Sequence, residues 1–182
     1  MLKIENLLMA SGSKCYRKRK GVFEIGISYH GKSISLGSYK NEDDAKRKVL
    51  DFKIKRLIEG LSEYGETLKD YAVYHGKYIV FKSGNIFNLF GKKIIGHINR
   101  DGYVNGILDG KNTQFHRVIA LSFLPRIDGK DFVNHKDGNK MNNCVDNLEW
   151  CNRSENTLHS FKNGLQKVIH NQYGIFEVKK YA

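Results

Sequence analysis

Asn134, His135, Asn147, Asn156 and His159 are the side chains in this sequence whose types and spacing suit chemistry on a common substrate. Histidine titrates near neutral pH, so His135 can take a proton from water. An imidazole base must be held in one tautomer and one orientation, and the Asn147 side-chain carbonyl can accept its other N–H. Asn134 and Asn156 offer amide oxygens, and His159 an imidazole nitrogen, to a divalent cation. A base facing a clamped cation is what phosphodiester hydrolysis needs. The base activates water, and the cation holds the phosphate and stabilises the departing 3′ oxygen.

The surrounding pattern supplies elements to position these groups. Phe132 to His135 reads as the end of a strand, and Lys136-Asp137-Gly138-Asn139-Lys140 as a turn dense in Asx and Gly. A polar loop runs on to Asp146, Asn147 closes it, and Leu148-Glu149-Trp150-Cys151 alternates as a second strand. Asn152 with Glu155 three residues on makes a capping box for a helix that Asn163-Gly164 ends. On that helix Asn156 and His159 share a face. Upstream, residues 116–123 predict a short helix ended by Pro125, with His116, Ile119, Ala120 and Phe123 on one face. His116 is expected to be a hydrogen-bonded structural histidine, while Arg117 points elsewhere and can reach a phosphate. Residues 71–112 read as a β-meander of about four short strands.

The first third has a different texture. Residues 14–20, KCYRKRK, are dominated by basic side chains. Two strands follow, 21–29 and 33–39, joined by the turn His30-Gly31-Lys32. Asn41 can cap a helix whose first turn holds Glu42, Asp43 and Asp44, and whose apolar stripe includes Ala45, Val49 and Phe52. Gly60 is a plausible stop for it. The expected division is a small domain over 1–60, a linker over 61–70, a second domain over 71–165, and a tail over 166–182 with one possible strand, Gly174 to Val178.

The chain of 182 residues carries a net charge of +12, from 31 Lys and Arg against 19 Asp and Glu. That excess favours a polyanionic partner. Cys15, Cys144 and Cys151 form no C-x-x-C pair, which argues against a disulfide framework or zinc knuckle and for reduced thiols in a cytosol. The N-terminal apolar run is too short for a secretory signal, and no stretch of about 18 apolar residues is present to span a membrane.

Two resemblances sharpen these expectations. GVFEIGISYHGKSISLGSYKNEDDAKRKVLDF resembles the AP2 DNA-binding domain. It shares the Gly-Val-aromatic start, the short hairpin, the Leu-Gly-x-aromatic ending and the acidic cap before an Ala-containing helix. The likeness implies a three-stranded sheet laid in a DNA groove, with Arg17, Lys18, Arg19, Lys20, Tyr29 and Lys32 as contacts. HRVIALSF, NHKDGNKMNN, NLEW and SENTLH together resemble the HNH nucleases of the ββα-metal fold, in particular their homing-endonuclease branch, over roughly residues 71–165. That resemblance implies His135 as general base, Asn147 as the residue orienting it, and Asn134 and Asn156 as metal ligands, with His159 a third ligand or a phosphate contact. Arg117, Lys136 and Lys140 join the DNA-contact candidates.

The implied fold is α+β: the small sheet and helix, then the meander leading into the ββα-metal core. The implied activity is DNA cleavage with Mg²⁺, or Mn²⁺ in its place, by a nicking endonuclease. It would act on double-stranded DNA in the cytoplasm of a bacterium or phage-infected cell, as a monomer or a dimer assembled on DNA. The alternative is a sequence-specific DNA-binding protein of weak or no activity on the same scaffold. RNA is a weaker target, since no RNP-type aromatic motif is evident. Neutralising Arg17, Lys18 and Arg19 together is expected to weaken DNA binding. It should also flatten the slope of log affinity against log salt by about 3, measured by fluorescence anisotropy, and an unchanged slope would remove their phosphate role.

Overall fold

The computed structural model describes residues 2–10, 15–29, 32–164, 166–170 and 176–180, with residues 2, 3, 10, 29 and the last two segments described by their backbone alone. Contacts divide the chain into two compact units. One holds residues 1–69, 75–79 and 87–93, and the other residues 70–74, 80–86 and 94–182.

In the first unit the alternation after Val22 turns Ile25 and Ile27 inward on β2 (Val22–Tyr29) and leaves Gly26 and Ser28 exposed. β1 (Tyr16–Arg19), β2 and β3 (Lys32–Tyr39) form an antiparallel sheet in that order, with a register shift at Ile25/Gly26. The basic run is therefore itself a strand. Residues 30 and 31 of the expected turn lie outside the described residues. The helix α2 (Glu42–Ser62) starts where Asn41 accepts the backbone N–H of Asp44, and its Ala45 and Val49 pack on Ile25 and Ile27.

Two features of this unit depart from the sequence reading. Leu2–Ala10 forms a helix, α1, which buries Ile4 and Leu8. Its Leu8 carbonyl accepts the Nζ of buried Lys53 at 2.7 Å, filling one of the acceptors that a helix C-terminus leaves open. And α2 does not stop at Gly60: a Cβ there would land on the backbone of Gly91, so the glycine serves close approach within the helix, not a cap.

The expected single meander is two sheets. β4 (Tyr71–Tyr74), β5 (Tyr78–Phe81) and β6 (Ile86–Asn88) form one, and β7 (His97–Ile98), β8 (Val104–Leu108) and β9 (Lys111–Gln114) the other. Between them the chain bends at Gly91, and no ladder joins β6 to β7. The second sheet closes on the ring of Phe115, against which Gly106 leaves no room for a Cβ, while a Cβ at Gly96 would collide with the Val104 side chain.

The remaining elements of the second unit follow the sequence closely. The helix α3 (Phe115–Phe123) buries Phe115, His116, Val118, Ile119 and Ala120, one apolar side of an amphipathic helix. β10 (Phe132–His135) and β11 (Leu148–Cys151) pair antiparallel, Asn134 opposite Glu149 and His135 opposite Leu148. The helix α4 (Arg153–Lys162) begins with both halves of the Asn152–Glu155 capping box formed. Beyond it β12 (Gln166–His170) pairs with β13 (Phe176–Lys180), while residues 174 and 175 of the strand expected there lie outside the described residues.

Replacing Gly106 with Ala puts a methyl group into the Phe115 ring. The expected cost is about 1–3 kcal/mol, read as a lower urea midpoint at unchanged m-value; an unshifted midpoint would show that the β8–α3 packing has slack.

Candidate active site

His135 closes β10 and is buried, 3% exposed, with its Nε2 3.1 Å from Oδ1 of Asn143, itself 7% exposed. An amide oxygen only accepts hydrogen bonds, so Nε2 carries the proton and Nδ1 keeps its lone pair. Behind the ring stand His116, edge-on at a centroid distance of 5.1 Å, and Tyr103, 4.8 Å from His116 and 6.0 Å from His135. Burial lowers the pKa of His135, outweighing the Asn143 bond. His116 is pushed down to about 3, by burial first and then by His135 and Arg117. Its Nδ1 has no hydrogen-bond partner, so the histidine expected to be hydrogen-bonded is a packing ring kept neutral by its surroundings.

The loop between the strands is tied by its own side chains, with Asp137 as hub. Asp137 accepts from the Asn139 backbone N–H at 2.8 Å, from Asn142 Nδ2 at 2.8 Å and from Asn147 Nδ2 at 2.8 Å. These bonds, that of Asn142 foremost, hold its carboxyl below the usual range. The Asn147 side chain does not reach His135. Its oxygen accepts the Asp137 N–H at 3.0 Å, and its nitrogen also donates to the Asn142 carbonyl at 2.9 Å. Register explains the difference: Leu148 faces His135, which leaves Asn147 beyond the ladder on the turn, and the Asx-rich loop brings Asn143 back to the ring. The sequence showed that Asn-rich loop but not which of its amides turns inward.

Asn134 is 7% exposed, and its Nδ2 donates to Oε1 of Glu149 at 2.8 Å. With the nitrogen committed, the free end of the amide is Oδ1, to which no described residue donates. The Asn156 side chain likewise makes no hydrogen bond among the described residues. His159 Nε2 lies 2.9 Å from the Lys136 carbonyl and 2.9 Å from Asn163 Nδ2. One nitrogen cannot serve both, because the first bond needs it protonated and the second needs its lone pair. As donor to Lys136 it docks α4 beside His135, and Asn163 is then satisfied by the His159 carbonyl at 3.0 Å. Asn156, one turn earlier, shares that docked face. Two unclaimed amide oxygens are hard donors that suit Mg²⁺ or Mn²⁺. Among the described residues no group of three or more His, Cys, Asp and Glu could hold a metal ion. Of the two imidazole nitrogens of His159, expected as a third ligand or a phosphate contact, Nε2 is engaged by the Lys136 backbone.

Several expected DNA contacts are braced by the protein. Lys136 Nζ donates to the Asp146 carbonyl at 2.8 Å, Lys140 Nζ to the Asp101 carbonyl at 2.7 Å, and Arg117 to the Asp131 carbonyl at 3.3 Å. In the first unit Arg17 pairs with Glu24 at 3.2 Å, and Lys18 lies 5.5 Å from the Phe23 ring centre. Arg19, Lys20 and Lys32 are exposed, and the Tyr29 side chain lies outside the described residues. All three cysteines are free thiols, and none of the described helices is long and apolar enough to cross a membrane.

Residues 113–158 match the family model of the HNH endonucleases. The chain is 34% identical over 105 residues to the DNA endonuclease I-HmuI of Bacillus phage SP01, covering 55% of this chain and 60% of the phage protein. It is 38% identical over 96 residues to an uncharacterised HNH endonuclease of Acanthamoeba polyphaga mimivirus, covering 49% of this chain and 24% of that protein. Less than two thirds of either relative's length is thus spanned. A solved structure of I-HmuI, described as DNA binding and cleavage by an HNH homing endonuclease, is similar over 62% of this chain and 76% of its own, at 28% identity and a TM-score of 0.44.

Unfolded His116 takes up a proton near the ordinary imidazole value, while the folded ring refuses it until about pH 3. The unfolded state therefore binds more protons between those limits, so stability falls as pH drops through that window, by up to about 1.4 kcal/mol per pH unit for this one group. Urea midpoints from pH 7 to pH 4 are expected to fall less steeply in His116→Phe than in the wild type. Parallel slopes would show that His116 titrates normally in the fold.

Proposed function

We propose, from the match of residues 113–158 to the HNH endonuclease family model, that the chain is a divalent-metal-dependent DNA endonuclease of the homing type with His135 as general base. The observation that carries this reading is the buried His135 ring held through Nε2 by Asn143, which leaves Nδ1 as the basic nitrogen. Burial keeps that nitrogen unprotonated at neutral pH, so it can accept a proton from water at once. Asn143 fixes the tautomer. Asn147 and Asp137 stiffen the loop that carries Asn143, and His159 keeps α4 against the backbone that follows the base. Asn134 and Asn156 are the residues that would hold Mg²⁺ or Mn²⁺. When bound, the cation supplies charge stabilisation to the phosphate and the departing 3′ oxygen.

The described residues hold one such site, so in this reading the chain nicks one strand, and a double-strand break takes two copies. The three-stranded sheet of the first unit, with α2 packed on it, would serve as an AP2-like DNA-binding domain. In this reading its basic strand β1, with Lys20 and Lys32, grips the phosphates of double-stranded DNA. The neutral side chain at Asn134 favours a second reading, DNA binding with little or no cutting, because an amide binds a hard cation less well than a carboxylate.

Supercoiled plasmid with Mg²⁺ or Mn²⁺ separates the two. Nicking is expected from the wild type, none above background from His135→Ala, and a loss of about 10²-fold in rate from Asn143→Ala, with the acid limb of its pH–rate profile displaced. Nicking that survives His135→Ala would remove the general-base assignment, and binding without cutting by the wild type would favour the second reading.

A further inference from the structure

Glu149 stands directly across the β10–β11 ladder from Asn134, and paired residues of an antiparallel ladder project to the same face. The carboxylate is exposed and the amide buried, yet the carboxylate turns inward to accept Asn134 Nδ2 at 2.8 Å. An exposed glutamate on a strand is ordinarily a solvated residue, or it pairs with a cation. Here no Lys or Arg among the described residues pairs with Glu149, although the chain carries an excess of twelve positive charges; the neighbouring Lys130 pairs with Glu155 at 2.8 Å. The one hydrogen bond that the Glu149 carboxylate makes among the described residues is to the amide whose other end is an unclaimed oxygen.

Two consequences follow from that geometry. A side-chain amide has a donor end and an acceptor end, and anchoring the donor on a carboxylate fixes which way the acceptor points. The anchoring group is itself anionic, and its second oxygen accepts no hydrogen bond among the described residues. A neutral Asn134 would leave a divalent cation short of negative charge, and the missing charge stands one residue across the ladder.

We propose that Glu149 is the anionic member of the cation site: it sets the Asn134 rotamer with Oδ1 toward the cation and supplies the negative charge that Asn134 lacks. This rests on the reading that Asn134 and Asn156 hold a divalent cation. It assigns Glu149 as a positioning and charge-supplying residue, not as a group that touches the water or the phosphate.

The test is binding of Mn²⁺ alone to the full chain, with free ion counted by electron paramagnetic resonance and thermal melts confirming the fold of each variant. Glu149→Gln keeps an acceptor for Asn134 and removes only the charge. It is expected to raise the Mn²⁺ dissociation constant by about tenfold or more, the scale of loss seen when a group supporting a metal ligand is removed. Adding Asn134→Asp to Glu149→Gln moves the charge across the strand pair and is expected to restore binding. Unchanged affinity in Glu149→Gln overturns the inference, as does a double variant no tighter than the single one. If Asn156→Ala weakens binding while Glu149→Gln does not, the cation-site reading stands and the role of Glu149 falls. A wild type with no saturable Mn²⁺ binding overturns both.

Discussion

A buried imidazole has to place its single N–H somewhere, and in this protein that need organises the second unit. His135 donates to Asn143, and an amide oxygen suits the task because it accepts a proton-bearing nitrogen without bringing charge into the site. A carboxylate in that position would favour the imidazolium and raise the pKa of the ring. The neighbours act in the same direction. His116 and Tyr103 wall off the back of His135 with aromatic surface, and His116 is itself kept neutral by burial, so a protonated ring there would be doubly unfavourable. The cost is an orphaned His116 Nδ1, a buried polar atom without a partner.

Holding Asn143 in place is a problem of loop rigidity, because the residue sits in a long irregular connection between β10 and β11. No ladder reaches it. The chain solves this with short-range Asx bonds converging on Asp137, which are enthalpically modest singly but together leave the loop little freedom. Asn147 belongs to this network. Its importance could be read from the sequence, since an asparagine closing a polar loop before an apolar strand is a strong local signal. Its partner could not, because that depends on a register in which Leu148 takes the place opposite His135. The same limit hid Asn143 among the asparagines of NKMNN.

Local patterns were legible where the physics is local. The Asn152–Glu155 box, the ends of α3 and α4 and the strands at 132–135 and 148–151 each rest on a few consecutive residues, and the structure has them. Illegible features depend on distant chain. Gly60 has the look of a helix stop, yet α2 continues because Gly91 approaches so closely that only glycine fits. A run of short apolar segments over 71–112 suggests one meander, but the later strands pair among themselves in their own sheet, with Gly106 closed on the distant Phe115 ring. The N-terminal helix was invisible for a related reason: Ile4 and Leu8 acquire a purpose only against α2, and Lys53 only as a cap for α1.

The electrostatics of the proposed cation site follow from how charge is distributed over β10 and β11. An aspartate at 134 would sit within hydrogen-bond distance of Glu149, and two carboxylates that close cannot both ionise without a cation between them. In the free protein one of them would hold a proton, and the metal would have to displace it. Asparagine at 134 removes that conflict. It keeps an oxygen toward the site, gives Glu149 a donor in place of a repelling neighbour, and leaves a single negative charge on the pair whether or not metal is present. On this view the amide at 134 and the glutamate at 149 are one unit divided across two strands, and the neutral side chain at 134 is intelligible only with its partner in register.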